Sequence, residues 1–314
     1  MAIANEIGDH PGKGYILNNI GGVYSSWGQY ARALEFYQQS LAIVKEIGDR
    51  AGEGRTLNSI AGIYYSLGQY AEALKVYQQA LAIRREIRDK AGEGITLNNI
   101  GLAYNLLGQY AEALKVYQQA LAIRREIGDK AGEASTLNNI ALIYDGQEQE
   151  RQALVVFEQA LAIRQEIGDQ AGEATTLNNI GLVHEKLGDS SQALEAYQQA
   201  LVTFQEIGNR PGERSALSNI GSLLEQQNQT ELAIIFYKQS VNVTEAIRQD
   251  LQGLSSKQQQ SYTTTVANTY RRLADLLLKQ DRVLEPTFRR SLSKVDNIGD
   301  KLVQGSEESI FVHH

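Results

Sequence analysis

Apolar positions recur along this chain in a pattern that returns every 40 residues. In the stretch 97–104, Leu97, Ile100, Gly101 and Tyr104 fall at i, i+3, i+4 and i+7, which places them on one face of a helix. The pattern returns at 17–24, 57–64, 137–144, 177–184 and, more loosely, 217–224. Each copy leads into a second helical stretch, best seen at 110–127, whose Ala113, Leu114, Tyr117, Leu121 and Ile127 are expected to face neighbouring helices. Gly108 divides the two stretches and supplies the left-handed residue that commonly ends a helix. Gly128 stops the second helix, and Asp129 is placed to cap the next first helix. Pro11 and Pro211 fall in the first turn of such helices, where a missing N–H costs nothing. Gly21, Ala61, Gly101, Ala141, Gly181 and Gly221 keep one position small, as close helix contact requires. A period of this length predicts a solenoid in which each unit is one helix pair and neighbours share a continuous core.

Helix, tight glycine turn, small residue at the crossing, and Tyr and Ala on the second helix together resemble the tetratricopeptide repeat. Residues 12–251 read as six consecutive units. The common form of that repeat has about 34 residues and closes its second helix with a proline. Here that proline is missing and the helices run longer, as in the 40-odd-residue subclass resembling kinesin light chains. The resemblance implies an all-α fold, a right-handed superhelical solenoid of antiparallel helix pairs, whose partner is a protein or peptide.

The period sets the domain organisation. Residues 1–11 read as the tail of a truncated preceding repeat, because 1–9 aligns with 41–49, the end of a second helix. Such arrays normally need capping repeats, so self-association through uncapped ends is expected. The repeat at 132–171 departs most, with Glu148 in place of the turn glycine and Glu150 in place of a tyrosine. If local opening occurs anywhere in the array, it is expected there. After 251 the period fails, and 252–285 reads as a connector and a degenerate repeat helix. Residues 270–277 match a first helix at a displacement of 13 beyond the 40-residue step. Residues 286–314 read as a closing helix, with Phe288, Leu292, Val295 and Leu302 on one side, and a loose tail. The segment 247–285 also resembles the connector of cyanobacterial-type proteins in which such repeats precede a caspase-like CHAT peptidase domain. The His–Cys pair of that domain has no counterpart in this sequence.

Composition narrows the chemistry. The 314 residues are 42% apolar and 21% charged, ordinary for a soluble folded protein. A net charge of −7 disfavours nucleic acid, whose partners carry basic stripes. No apolar run approaches the roughly 18 residues of a membrane span, and the first residues lack a secretory pattern. A cytoplasmic protein with no membrane partner is expected. Absence of Cys excludes disulfides and thiolate chemistry in this chain. Of four His, His10 falls in an inter-repeat loop, His184 replaces the recurring Tyr on a packing face, and His313 and His314 end the chain. No metal-ligand spacing and no phosphate-cradling glycine loop occurs, so neither an enzyme nor a cofactor site is expected.

The candidate binding residues are paired asparagines on the first helices: Asn18 and Asn19, Asn98 and Asn99, Asn138 and Asn139, Asn178 and Asn179, with Asn58 and Asn219 as single members. Asn is a mediocre helix former, about 0.5 kcal/mol worse than Ala, so something other than propensity holds it there. Its amide offers both a donor and an acceptor, matching the two groups of a peptide unit. Spaced at one repeat along a groove, such amides are expected to grip an extended backbone. The competing role is a bond from one Asn of each pair to the adjacent repeat. Ser59 and Ser218 interrupt the two rows. The basic pairs Arg84-Arg85 and Arg124-Arg125, mixed with Glu86 and Glu126, are expected on a solvated outer face. The expected function is a protein–protein interaction scaffold, and the resemblance at 247–285 implies the sensing half of a longer protein. The alternative is a structural, self-associating solenoid.

Overall fold

The computed structural model describes residues 10–250 and 256–280, with side chains for 12–250 and 266–280. Two compact units divide it. In the first, residues 1–167, four helix pairs follow one another: α1 (His10–Ser26) with α2 (Tyr30–Glu46), α3 (Arg50–Ser66) with α4 (Tyr70–Glu86), α5 (Lys90–Leu106) with α6 (Tyr110–Glu126), and α7 (Lys130–Gly146) with α8 (Glu150–Ile167). The second, residues 168–314, pairs α9 (Gln170–Leu187) with α10 (Ser190–Glu206) and α11 (Arg210–Gln226) with α12 (Thr230–Asp250), and α13 (Ser256–Lys279) packs on α12. The described residues are all-α, without strands. The expected tail of a preceding repeat at 1–9 and the closing helix after 286 lie outside the described residues.

The ends of the helices follow from the residues that recur there. Asp49, Asp89, Asp129 and Asp169 each accept the N–H of the glycine three residues on at 2.9 Å, and Asn209 does the same for Gly212 at 3.0 Å. Gly108 and Gly128 hold φ of 72° and 69°, as the turn demands. Arg88, Glu148 and Asn228 take the same left-handed position at φ 57°, 58° and 59°. A side chain there costs roughly 1–2 kcal/mol.

Within each pair an aromatic ring lies on the small position of the first helix. A Cβ added to Gly21 would stand 2.7 Å from Tyr37, and one on Gly221 would stand 2.8 Å from Tyr237. Gly101 and Gly181 are closer still to Tyr117 and Tyr197. The small residue is thus needed to seat a ring, where the sequence pattern had suggested only a close helix crossing. Pairs stack by burying Ile60 and Ile63 of α3 with Ala33 and Tyr37 of α2, and Ile140 and Ile143 of α7 with Ala113 and Tyr117 of α6. Ile127 departs from its expected inward place: it is the C-terminal cap of α6 and exposed, and Ile123 fills the core instead.

Two further expectations are corrected. Arg84 and Arg124 are not on a solvated face. Arg124 is only 8% exposed, and each guanidinium reaches its own capping carboxylate, Asp89 or Asp129. Gly92 and Gly132 make this possible, since a Cβ on either would strike the guanidinium group. Arg85 and Arg125 do lie outward, paired with Glu93 and Glu133 at 2.8 and 2.7 Å.

The second correction is the register of α13. Asn219 meets Asn178 across a separation of 41 residues, whereas Thr269 meets Ser218 at 3.0 Å across 51. The extra length is therefore ten residues, not 13. The buried set explains it, for Val266, Ala267, Tyr270, Leu273 and Ala274 reproduce the spacing of Ala216, Leu217, Ile220, Leu223 and Leu224. Arg272 secures the helix by donating to Ser222 at 2.7 Å and to the Tyr237 hydroxyl at 3.1 Å.

Candidate functional site

The paired asparagines form a hydrogen-bonded ladder along the first helices. In the first unit, Asn99 Nδ2 donates to Asn58 Oδ1 at 3.3 Å and Asn139 Nδ2 to Asn98 Oδ1 at 3.1 Å. In the second unit, Asn219 Nδ2 donates to Asn178 Oδ1 at 3.0 Å. The second Asn of one repeat thus holds the first Asn of the repeat before it. Thr96 adds its hydroxyl to Asn58 at 3.4 Å. Neighbouring first helices touch in the order α1, α3, α5, α7 and again α9, α11. An amide is long enough to bridge that approach and polar enough to be wet on its outer side.

Burial grades the ladder. Asn58, Asn98, Asn99, Asn139, Asn178, Asn179 and Asn219 are half-buried, Asn138 is buried, and Asn19 is exposed. Asn18 is half-buried, yet its Oδ1 is buried with no hydrogen-bond partner. The ladder uses one N–H of each donor and one lone pair of each acceptor. An amide carries two N–H donors and an oxygen with two lone pairs, so Asn98, Asn99 and Asn139 keep capacity for a further partner.

The flanks of the ladder are apolar in part. On α5, Ile95 and Leu106 are 48% and 49% exposed, and Leu142 on α7 is 41% exposed. Ile95, Asn98, Asn99, Leu102 and Leu106 share one face of α5 by their helical spacing. Toward α1 the character changes, with the Arg55 guanidinium 4.8 Å over the ring centroid of Tyr15. Beneath the face lie the aromatic rings of the second helices. Burial pushes the Tyr77 hydroxyl up to about 12 and the Tyr117 hydroxyl higher still.

Sequence reasoning missed the polar partners of the rings in the second unit. Tyr197 and Tyr237 donate to Glu185 and Glu225 at 2.8 Å each. The signal was present as a Glu 12 residues before each Tyr, though Ser25, Tyr65, Asn105 and Asp145 hold that place in the first unit. His184 packs half-buried, with Nδ1 3.7 Å from Asp189. Among the described residues no cluster of acidic or His side chains could hold a metal ion, and no helix is long and apolar enough to cross a membrane.

Comparison with known proteins gives a consistent answer. The tetratricopeptide repeat model matches residues 1–46, 16–86, 52–126, 92–166 and 169–246. A search of the curated proteins finds no match. Among solved structures, BtubC (BKLC) from P. vanneervenii is 19% identical with a TM-score of 0.60, covering 70% of this chain and 90% of that one. The nearly identical repeats of a Podosopora anserina protein described as a kinesin light chain reach a TM-score of 0.54 at 20% identity, covering 64% of this chain and 98% of that one. A Rap protein complexed with Competence and Sporulation Factor has a TM-score of 0.59 at 17% identity, covering 85% of this chain and 75% of that one. At these identities the structures speak for the fold. With the repeat model matched along most of its length, the chain belongs to the tetratricopeptide repeat family.

Proposed function

We propose that this chain is a protein–protein interaction scaffold that binds an extended peptide segment along the face lined by its first helices. The observation that carries this reading is the asparagine ladder, whose amides brace each other and keep outward hydrogen-bonding capacity beside exposed Ile95, Leu106 and Leu142. Asn58, Asn98, Asn99, Asn138 and Asn139 would take the peptide in the first unit, continued toward α1 by Asn18 and Asn19. Asn178, Asn179 and Asn219 offer the same chemistry in the second unit. A Rap protein of the same fold is complexed with Competence and Sporulation Factor, and a STAND protein carries a tetratricopeptide repeat sensor. These support a sensing role within a longer protein that regulates an effector.

Peptides selected from a random display library on the intact chain test the reading. Binding should be lost in the Leu106→Glu, Leu142→Glu double variant and kept in Val155→Glu, which alters an exposed residue of a second helix. Loss in the second variant alone would overturn it.

A second reading, self-association, is favoured by one observation. Val23 is 46% exposed, whereas Ile63 and Ile143 at the same place in later repeats are 1% exposed. Sedimentation of Val23→Lys against the parent tests it; a parent that stays monomeric at high concentration removes it.

A further inference from the structure

In the first unit the ladder breaks between α1 and α3. Asn18 on α1 holds the place of Asn58 and Asn98, and the residue 41 positions later, where Asn99 and Asn139 stand, is Ser59. Its hydroxyl donates to the Arg55 carbonyl of its own helix at 3.2 Å. Asn18 Oδ1 is left buried without a donor. Elsewhere in this unit the same oxygen is met by a primary amide, so the molecule itself shows which group fits. A buried acceptor without a partner is unfavourable and pairs readily with any donor that reaches it.

The surroundings suit an incoming group. Gly22 and Gly62 stand where Leu102 and Leu142 stand in the next two repeats, so the surface beside the break lacks two leucine side chains. Asn18 itself is half-buried, and Tyr15 and Asn19, close to it along α1, are exposed. Arg55, held over the Tyr15 ring, places a positive charge beside the break. An ammonium donor is repelled there, which leaves a neutral N–H donor as the fitting chemistry.

We propose that the break between Asn18 and Ser59 is a subsite for a neutral primary amide, the side chain of a Gln or Asn in a peptide lying along the first-helix face. The inference rests on the peptide-binding reading above. The partner's amide supplies the rung that Ser59 omits, donating one N–H to Asn18 Oδ1. A Glu at the same place has no N–H to offer, and an Ala reaches nothing.

The test uses the intact ¹⁵N-labelled chain and three capped peptides of about 19 residues, alike but for Gln, Glu or Ala at the central position, so that either half, roughly 30 Å long when extended, reaches from α1 toward α7. The readouts are the side-chain amide signals of Asn18, Asn98 and Asn139. All three peptides should move Asn98 and Asn139, and the Gln peptide alone should move Asn18, saturating about tenfold more tightly than the Ala form. Ser59→Asn should abolish the Asn18 response by completing the ladder, while Ser59→Ala, which keeps the gap, should retain it. An Asn18 signal that ignores the Gln peptide, or answers all three peptides alike, overturns the subsite while Asn98 and Asn139 still respond. Peptides that move none of the three signals overturn the subsite and the peptide-binding reading together.

Discussion

Replacing Gly101 measures how firmly the ring of Tyr117 is seated. Tyr117 is fully buried among Ala113, Ile140 and Ile143, so it has no open direction in which to swing. A Cβ at Gly101 falls against that ring, and a leucine adds three more carbons in the same direction. Overpacking of this kind costs about 1–3 kcal/mol. Helix propensity returns part of it, since glycine in a helix is roughly 1 kcal/mol worse than alanine or leucine. Gly101→Ala is a different case, because Ala61 already sits in one buried cluster with Tyr77. Its clash and its propensity gain should nearly cancel, leaving it within about 1 kcal/mol of the parent. Gly101→Leu should fall below Gly101→Ala by roughly 1–3 kcal/mol. Urea denaturation followed by circular dichroism reads the order from the midpoints, which is the safer quantity for a repeat array. Equal midpoints for the Ala and Leu variants would refute the argument, because they would mean that the ring yields.

Glu148→Gly should stabilise by about 1 kcal/mol, since glycine removes the cost of a left-handed side chain at φ 58°; a thermal melt checks the direction. Burial pushes the Asp89 carboxyl up, but the Gly92 N–H and the Arg84 guanidinium outweigh it and hold the group below the usual carboxylate range. A depressed pKa contributes stability above the unfolded value, near 4, and loses it as pH falls through the folded value. Asp89→Asn should therefore flatten the acid limb of a stability–pH curve, and an unchanged limb would contradict this. Asn139→Ala should lower the melting point by removing the bond to Asn98, worth about 1 kcal/mol, whereas Asn19→Ala, at an exposed position, should hold or raise it.

Much of the fold was legible because each boundary residue has a local cause. Gly108, Asp129 and Pro211 mark helix ends by their own backbone chemistry, and the structure places them there. The apolar spacing of Leu97, Ile100 and Gly101 likewise fixes one buried face. What sequence reading lost depends on tertiary reach. Arg84 and Arg85 are neighbours with the same charge, yet one turns inward because Gly92 leaves room for it and Asp89 waits there. The register of α13 was misjudged because the match set Tyr270 in the place of Leu217, whereas Tyr270 is buried at the place of Ile220. The asparagines were recognised as unusual helix residues. Their bonds to one another run between positions 41 apart, and one helix alone gives no hint of which partner an amide will choose.

The affinity of a library-selected peptide for Asn98→Ala, measured by titration calorimetry, tests the central claim most directly. Asn98 gives its oxygen to Asn139 and keeps its N–H groups for the face. Losing one to two hydrogen bonds to the peptide, at about 1 kcal/mol each, predicts a roughly five- to thirtyfold weaker affinity with the helical fold retained. An affinity equal to that of the parent would contradict the account, for it would leave the ladder as bracing between repeats and nothing more.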